Sequence, residues 1–328
     1  MHTAVGSRAS RRAMLVSALA VALGAPWATA QTYPTKPVRV LVGYAPGGIA
    51  DTSARIVSQQ LASRLKANFV IDSRPGAGGR IATEAATKVP PDGHTLLLGT
   101  EGTHSVAVVT VKGLPYDPIK DFTPIGLIGK HGSSLVVHPA LPVKSLKELV
   151  ALARKYPGKL NYSSSGAESG IHFATELFRL AAKVDLTHIP YKGAAPALQD
   201  VVGGRIELTL SPSAAPQVEA GQVRLLGTTS ARRDPRFPDA PTLAEAGLPG
   251  FEAIGWTAIF GPANTPPAIV SQLNAAMNAA LSDPDTIQRL RVWGSIASPG
   301  EPRELEALLK SEIVRYRKVA ADANLRFE

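Results

Sequence analysis

The sequence contains no cysteine. That excludes disulfides, thiol nucleophiles and thiolate metal sites, so the fold must be held by its own core. Aromatic residues make up only 5% of the chain, too few for extended stacking surfaces that would hold bases or sugars. Beyond residue 30 no apolar stretch is long enough to span a membrane. No low-complexity tract occurs, and no repeat at solenoid or propeller periods. Concentrated charge is missing too. The formal net charge is +9, yet beyond residue 30 no basic run is longer than Arg232-Arg233. Scattered lysines and arginines of this kind favour solubility or the attraction of acidic ligands, and nucleic acid is not an expected partner.

What is present begins with a leader. Arg8, Arg11 and Arg12 form a positive start, Met14 to Leu23 an apolar stretch, and Ala28-Thr29-Ala30 a small-x-small cleavage site. That order predicts a secretory signal peptide over residues 1–30. Ser10-Arg11-Arg12-Ala13-Met14-Leu15 also looks like a twin-arginine signal, so the Sec and twin-arginine routes both stay open. Either route leads to the periplasm. The leader carries three arginines and no acid, so its removal lowers the formal charge from +9 to +6.

The remaining chain alternates strand, turn and helix. Val38 to Val42 reads as a buried strand, Ala45-Pro46-Gly47-Gly48 as a turn, and Ala50 to Lys66 as a helix with Ala54, Val57, Leu61 and Leu65 on one face. Phe69 to Asp72 and Thr95 to Leu98 are further strands, separated by a helix that ends near Lys88. The pattern restarts at Leu160 to Ser163, with a turn at Ser164-Ser165-Gly166 and a helix from Ser169 to Ala182. Strands follow at Leu186 to Tyr191, Arg205 to Leu210 and Val223 to Thr228. Helices open at Pro266-Pro267 and Glu301-Pro302, because proline is accepted in a first helical turn. The alternation predicts mainly parallel sheets covered by helices, arranged as two α/β lobes with a cleft between them.

Two turns could bind an anion. Pro46-Gly47-Gly48 precedes a helix whose start carries partial positive charge, and its glycines leave backbone N–H groups open. Ser163-Ser164-Ser165-Gly166-Ala167-Glu168-Ser169 occupies the same place in the second lobe, with hydroxyl donors and with Ser169 placed to cap the next helix. Gly99 to His104 follows a strand end and could close the side of the cleft. Enzyme motifs fail on inspection. Gly76-Ala77-Gly78 lacks the third glycine of a dinucleotide fingerprint, and no phosphate-binding Gly-Lys-Ser/Thr occurs. Gly166-Ala167-Glu168-Ser169-Gly170 has the wrong spacing for a nucleophile elbow. His94, His104, His131, His138, His172 and His188 never pair at i, i+4, so no zinc helix is suggested. No catalytic residue, cofactor or metal is expected.

These motifs together resemble the tripartite tricarboxylate transporter substrate-binding receptor family, also known as Bug or TctC-type proteins. Ala45-Pro46-Gly47-Gly48-Ile49-Ala50-Asp51-Thr52-Ser53-Ala54-Arg55 is similar to the family's P-G-G-x-x-D-x-x-A-R, and Arg74-Pro75-Gly76-Ala77-Gly78-Gly79 to its R-P-G-A-G-G. Pro91 to Leu96, Leu114 to Pro118, and His188-Ile189-Pro190-Tyr191-Lys192-Gly193 continue the likeness, which runs through Pro241-Thr242-Leu243-Ala244-Glu245. The resemblance implies a two-lobed α/β type II periplasmic-binding-protein fold with two crossovers. The expected lobes are residues 31–130 with 257–328, and residues 131–256. It implies a solute-binding receptor whose ligand is a small organic acid or an amino-acid-like carboxylate, acting as a monomer, with a two-component membrane transporter as partner. A periplasmic sensory module or enzyme that reuses the fold is the alternative.

Carried over residue by residue, the resemblance makes Gly47 and Gly48 donors of backbone amides, with Asp51 in the same turn. Ser164, Gly166 and Ser169 face them, and Tyr44 shapes the pocket. His172 matches a helix position where packing is the expected role. Three departures stand out. Glu168 replaces a usual glycine, Glu101 a usual small residue, and Ser211-Pro212 a usual Asp-Asn stretch. The simplest expectation is that Glu101 and Glu168 point to solvent. If either faces the cleft, the ligand should carry a cationic or donor-rich end opposite its carboxylate.

Overall fold

The computed structural model describes Met1 and residues 33–322, so the expected leader falls outside the described residues apart from Met1. The chain divides into two compact units, Met1–Thr35 and Lys36–Glu328. Both sheets belong to the second.

Along that unit run β1 (Val38–Val42), α1 (Ile49–Leu65), β2 (Phe69–Ser73), α2 (Arg80–Thr87), β3 (Thr95–Thr100), α3 (Ala107–Thr110) and the long β4 (Phe122–Gly132). Next come β5 (Ser134–Val137), α4 (Leu146–Lys155), β6 (Asn161–Ser164), α5 (Gly170–Ala182), β7 (Thr187–Pro190), α6 (Ala194–Val202), β8 (Leu208–Ser211), α7 (Ala215–Glu219) and β9 (Arg224–Thr228). The chain closes with β10 (Ile254–Pro262), α8 (Pro267–Leu281), α9 (Pro284–Val292), β11 (Ile296–Ala297) and α10 (Pro302–Asp322). One sheet has the order β11-β4-β10-β3-β1-β2 and the other β7-β6-β8-β5-β9. The backbone passes from the first sheet to the second between Gly132 and Ser134, and returns between Thr228 and Ile254.

The strands form where apolar runs allow burial on both faces. Val38, Val40, Leu41 and Val42 are at most 1% exposed, as a strand covered by helices requires. Helix α1 buries Ala54, Val57 and Leu61 at the predicted spacing and stops at Lys66, whose φ of 49° is left-handed. Two cores result. Leu41, Leu97, Trp256, Phe260, Leu305 and Leu309 pack around the first sheet, and Leu135, Tyr162, Phe178, Leu208, Leu210 and Phe251 around the second. Each sheet has its own core, which makes two lobes.

The expectation of mainly parallel sheets needs correction. β1 pairs in parallel with β2 and β3, but β10 runs antiparallel between β3 and β4, and β11 is antiparallel to β4. In the second sheet β5 is antiparallel to both β8 and β9. Every antiparallel pair includes β4, β5 or β10, strands next to a crossover that reasoning from the sequence missed. Their sequences hide them. Phe122–Gly132 carries Pro124, Gly126, Gly129 and Gly132, residues that argue against a strand when no partner is visible. β10 meets β4 with two register shifts, at Thr257/Ala258 and at Ile259/Phe260.

Candidate functional site

The turn after β1 is built by one carboxylate. Asp51, 3% exposed, accepts the Gly47 N–H through Oδ2 at 3.0 Å and holds Arg55 Nε through both oxygens at 3.0 and 2.9 Å. Gly47 has φ +89°, a left-handed value that a side chain would strain. The amide of Gly47 is engaged by Asp51, which braces the loop. Gly48 is the N-cap of α1, in extended conformation at φ −92° and ψ 174°, and no side chain caps the helix. The first N–H groups of a seventeen-residue helix are left without intrahelical acceptors there. Their partial positive charge opens on a cavity lined by Gly48, Ile49 and Ala50 together with Tyr44, Thr100 and Ser165. Tyr44 is fixed by its hydroxyl, which donates to Gly78 O at 2.9 Å and meets Thr100 Oγ1 at 3.0 Å.

The second loop is anchored by histidines. Ser164 Oγ donates to Gly166 O at 2.9 Å, accepts the Gly166 N–H at 3.2 Å, and lies 2.7 Å from His188 Nε2. His172 Nδ1 accepts the Glu168 N–H at 2.9 Å. The two imidazoles stack at 3.9 Å, with Tyr162 against His188 at 4.9 Å. Burial, then the neighbouring imidazole, pulls His188 down to about 3, and burial lowers His172 as well. Ser169 caps α5 by accepting the His172 N–H at 3.3 Å. Gly166, at φ +138°, lies against the first lobe, since a Cβ there would stand 3.0 Å from Gly78 N. Ser164, Gly166 and Ser169 thus shape the loop, and Ser165 is the serine that reaches the cavity.

Neither of the two unusual acids points to solvent, which overturns the simplest expectation. Glu168 has φ 60°, the left-handed geometry in which a glycine is easier to place. Its carboxylate pairs at 2.6 Å with Arg80 of α2 in the other lobe, both side chains being largely buried. Glu101, at the end of β3, accepts the Trp256 N–H through Oε2 at 3.1 Å. Its Oε1 fits because positions 170 and 255 are glycines. A Cβ on Gly170 would lie 2.0 Å from that atom, and one on Gly255 2.8 Å. Loss of water raises the Glu101 carboxyl to about 7.

Glu101, His131, Gly170 and Ile171 stand between two adjoining cavities. The one at the α1 terminus leaves about 40 Å³ to the centres of water-sized molecules, and its neighbour about 130 Å³. The second is mostly apolar, with Phe173, Leu177 and Val319 on its walls and Arg315 at one side. Reasoning from the sequence missed His131, Ser165 and Gly170 as cavity residues. Ser165 stood inside the quoted loop, whereas His131 belongs to the hidden strand β4. No cluster of histidine and acidic side chains suited to a metal ion occurs among the described residues, nor any helix long and apolar enough to cross a membrane.

Residues 53–325 match the model of the tripartite tricarboxylate transporter family receptor. A protein encoded in the tcbD-tcbE intergenic region of Pseudomonas sp. strain P51 is 37% identical over 296 residues, covering 89% of this chain and 88% of its own. Rpa4515 of R. palustris with adipate superimposes with a TM-score of 0.87 at 38% identity, over 90% of this chain and 99% of that one. MatC of Rhodopseudomonas palustris with bound malate gives 0.85 at 36% identity, over 88% and 99%.

Proposed function

The chain belongs to the tripartite tricarboxylate transporter receptor family, and we propose that it captures its ligand by seating a carboxylate on the open N-terminus of α1. Receptors of this kind are periplasmic solute-binding proteins for small carboxylates, and that is the function of this chain. The observation that carries the proposed grip is the uncapped start of α1 at an interlobe cavity. An anion placed there receives the N–H groups from Gly48 onward and gains from the helix dipole. Ser165 brings a hydroxyl to the same cavity, and Tyr44, bonded to Gly78 O and to Thr100, forms its wall with Thr100. Gly47, Asp51, Ser164, Gly166 and Ser169 hold the two loops in place and make no direct contact.

In this reading residues 31–130 with 257–328 form one lobe and 131–256 the other, although the first sheet also takes in residues 131–132 of β4 and 254–256 of β10. The receptor works as a monomer, reaches the periplasm by the Sec or twin-arginine route, and hands its ligand to a two-component membrane transporter. Mass spectrometry of small molecules released from the purified protein, followed by titration calorimetry with each candidate, tests the central claim. A small carboxylate that binds with micromolar or better affinity is expected. A protein that binds neutral sugars or amines and no carboxylate rejects it.

A further inference from the structure

The wall opposite the proposed carboxylate grip has its own chemistry. Glu101 contributes one oxygen to the Trp256 N–H, and among the described residues no lysine or arginine forms a salt bridge with it. His131, 6% exposed, has no hydrogen-bond partner for Nδ1. The two side chains converge on one point. A Cβ on Gly255 would stand 2.4 Å from His131 Cε1 and 2.8 Å from Glu101 Oε1. Both residues line both cavities.

We propose that Glu101 and His131 form a subsite for a protonated amine, so that the ligand is a carboxylate bearing an ammonium group at its far end. This deepens the carboxylate reading above and rests on it. A buried carboxylate without a cation is costly, as is an unpaired ring nitrogen. One ammonium group has enough donors to satisfy both. A second carboxylate in the same place would face the Glu101 oxygen across a site with little water to screen it, or would have to hold Glu101 protonated at pH values above about 7. Burial keeps His131 neutral, pulled down to about 4, which leaves Nδ1 able to act as an acceptor. The one cation on these walls is Arg315. It lies 4.8 Å from the Tyr316 ring and donates to the Tyr316 hydroxyl at 3.1 Å.

Matched pairs of equal length isolate this subsite: succinate against 4-aminobutanoate, and adipate against 6-aminohexanoate. In titration calorimetry the native protein should bind the amino member of at least one pair about tenfold or more tighter than the diacid. Glu101→Gln keeps the size and the Trp256 contact, and should bring that ratio to about threefold or less. Native protein that prefers the diacids, with Arg315→Gln removing the preference, assigns the far end to Arg315 and overturns the subsite. An unchanged ratio in folded Glu101→Gln also overturns it. If that variant does not fold, the native ratio alone decides. Carboxylates that bind without any gain from the amine reject the subsite and leave the carboxylate reading standing, whereas a protein that binds no member of the panel and no other carboxylate rejects both.

Discussion

Gly47 and Gly48 are neighbours in one turn and serve different ends. Gly47 is there for its backbone angle. At φ +89° any side chain is strained, although a Cβ would meet nothing closer than Ala195 Cβ at 3.5 Å. Gly47→Ala should therefore cost about 1–2 kcal/mol of stability by strain alone, measurable by urea denaturation, and no loss would show that the turn relaxes freely. Gly48 has extended angles that any residue adopts, with Ala194 Cβ 3.4 Å from the position of a Cβ. Gly48→Val should weaken carboxylate binding by more than about tenfold while melting close to the native protein. Normal binding by that variant would move the grip elsewhere. This turn was legible in the sequence because all its parts, from Gly47 to Arg55, lie within nine positions. Glu101 was not. Its orientation depends on Gly170 and Gly255, distant residues whose missing side chains make room for it.

At the scale of elements, the stacked His172 and His188 tie the Ser163–Ser169 loop to α5 and β7. Their ionisation gives stability a pH dependence with a definite sign. A histidine in the unfolded chain takes a proton near pH 6.5, whereas His188 in the fold does so only near 3. Between these values the unfolded state binds the extra proton, so stability falls as pH falls. His104 and His131, lowered by burial to about 3 and about 4, act in the same direction. Glu101, raised to about 7, acts in the opposite direction between about 4.5 and 7, and Glu312, raised by burial, acts with it. With His172 lowered as well, four histidines oppose two acids, so the melting temperature should drop from pH 6.5 to 5. His188→Gln, which can still reach Ser164, should make that drop shallower. An equal slope in the variant would mean that His188 titrates alike in both states. The elements on the parallel parts of each sheet were readable from apolar runs and helical spacing. Beside the crossovers β9 was readable too, whereas β4 and β10 were not, because their prolines and glycines are tolerated only through pairing with each other far apart in the chain.

For the whole molecule, what matters is how the lobes hold each other. Contacts that cross between them include the Ala45 N–H donating to Lys192 O at 2.9 Å, the Phe173 ring against Tyr316 at 5.0 Å, Gly78 against Gly166, Glu101 against Gly170, and the Arg80–Glu168 ion pair. The cavity at the α1 terminus is walled by residues of both lobes, Tyr44, Gly48 and Thr100 from one and Ser165, Gly170 and Ala194 from the other, so separation of the lobes opens it to a six-carbon acid. Closure then re-forms contacts already present in the protein, and part of the affinity comes from them. Glu168 embodies two opposing effects. Its left-handed backbone is strained, and its carboxylate supplies the partner for a largely buried arginine. Glu168→Gly relieves the strain and leaves Arg80 unpaired only when the lobes are shut. The substitution should therefore shift the balance towards the open form by about 1–2 kcal/mol, with little change in the stability of either lobe. Small-angle scattering should show a larger radius of gyration for the unliganded variant than for the native protein. Saturating ligand should bring both to the same compact value, with faster ligand release from the variant. Equal radii and equal release rates would mean that the ion pair forms without favouring closure, and that the other interlobe contacts, the Ala45–Lys192 hydrogen bond among them, hold the lobes together.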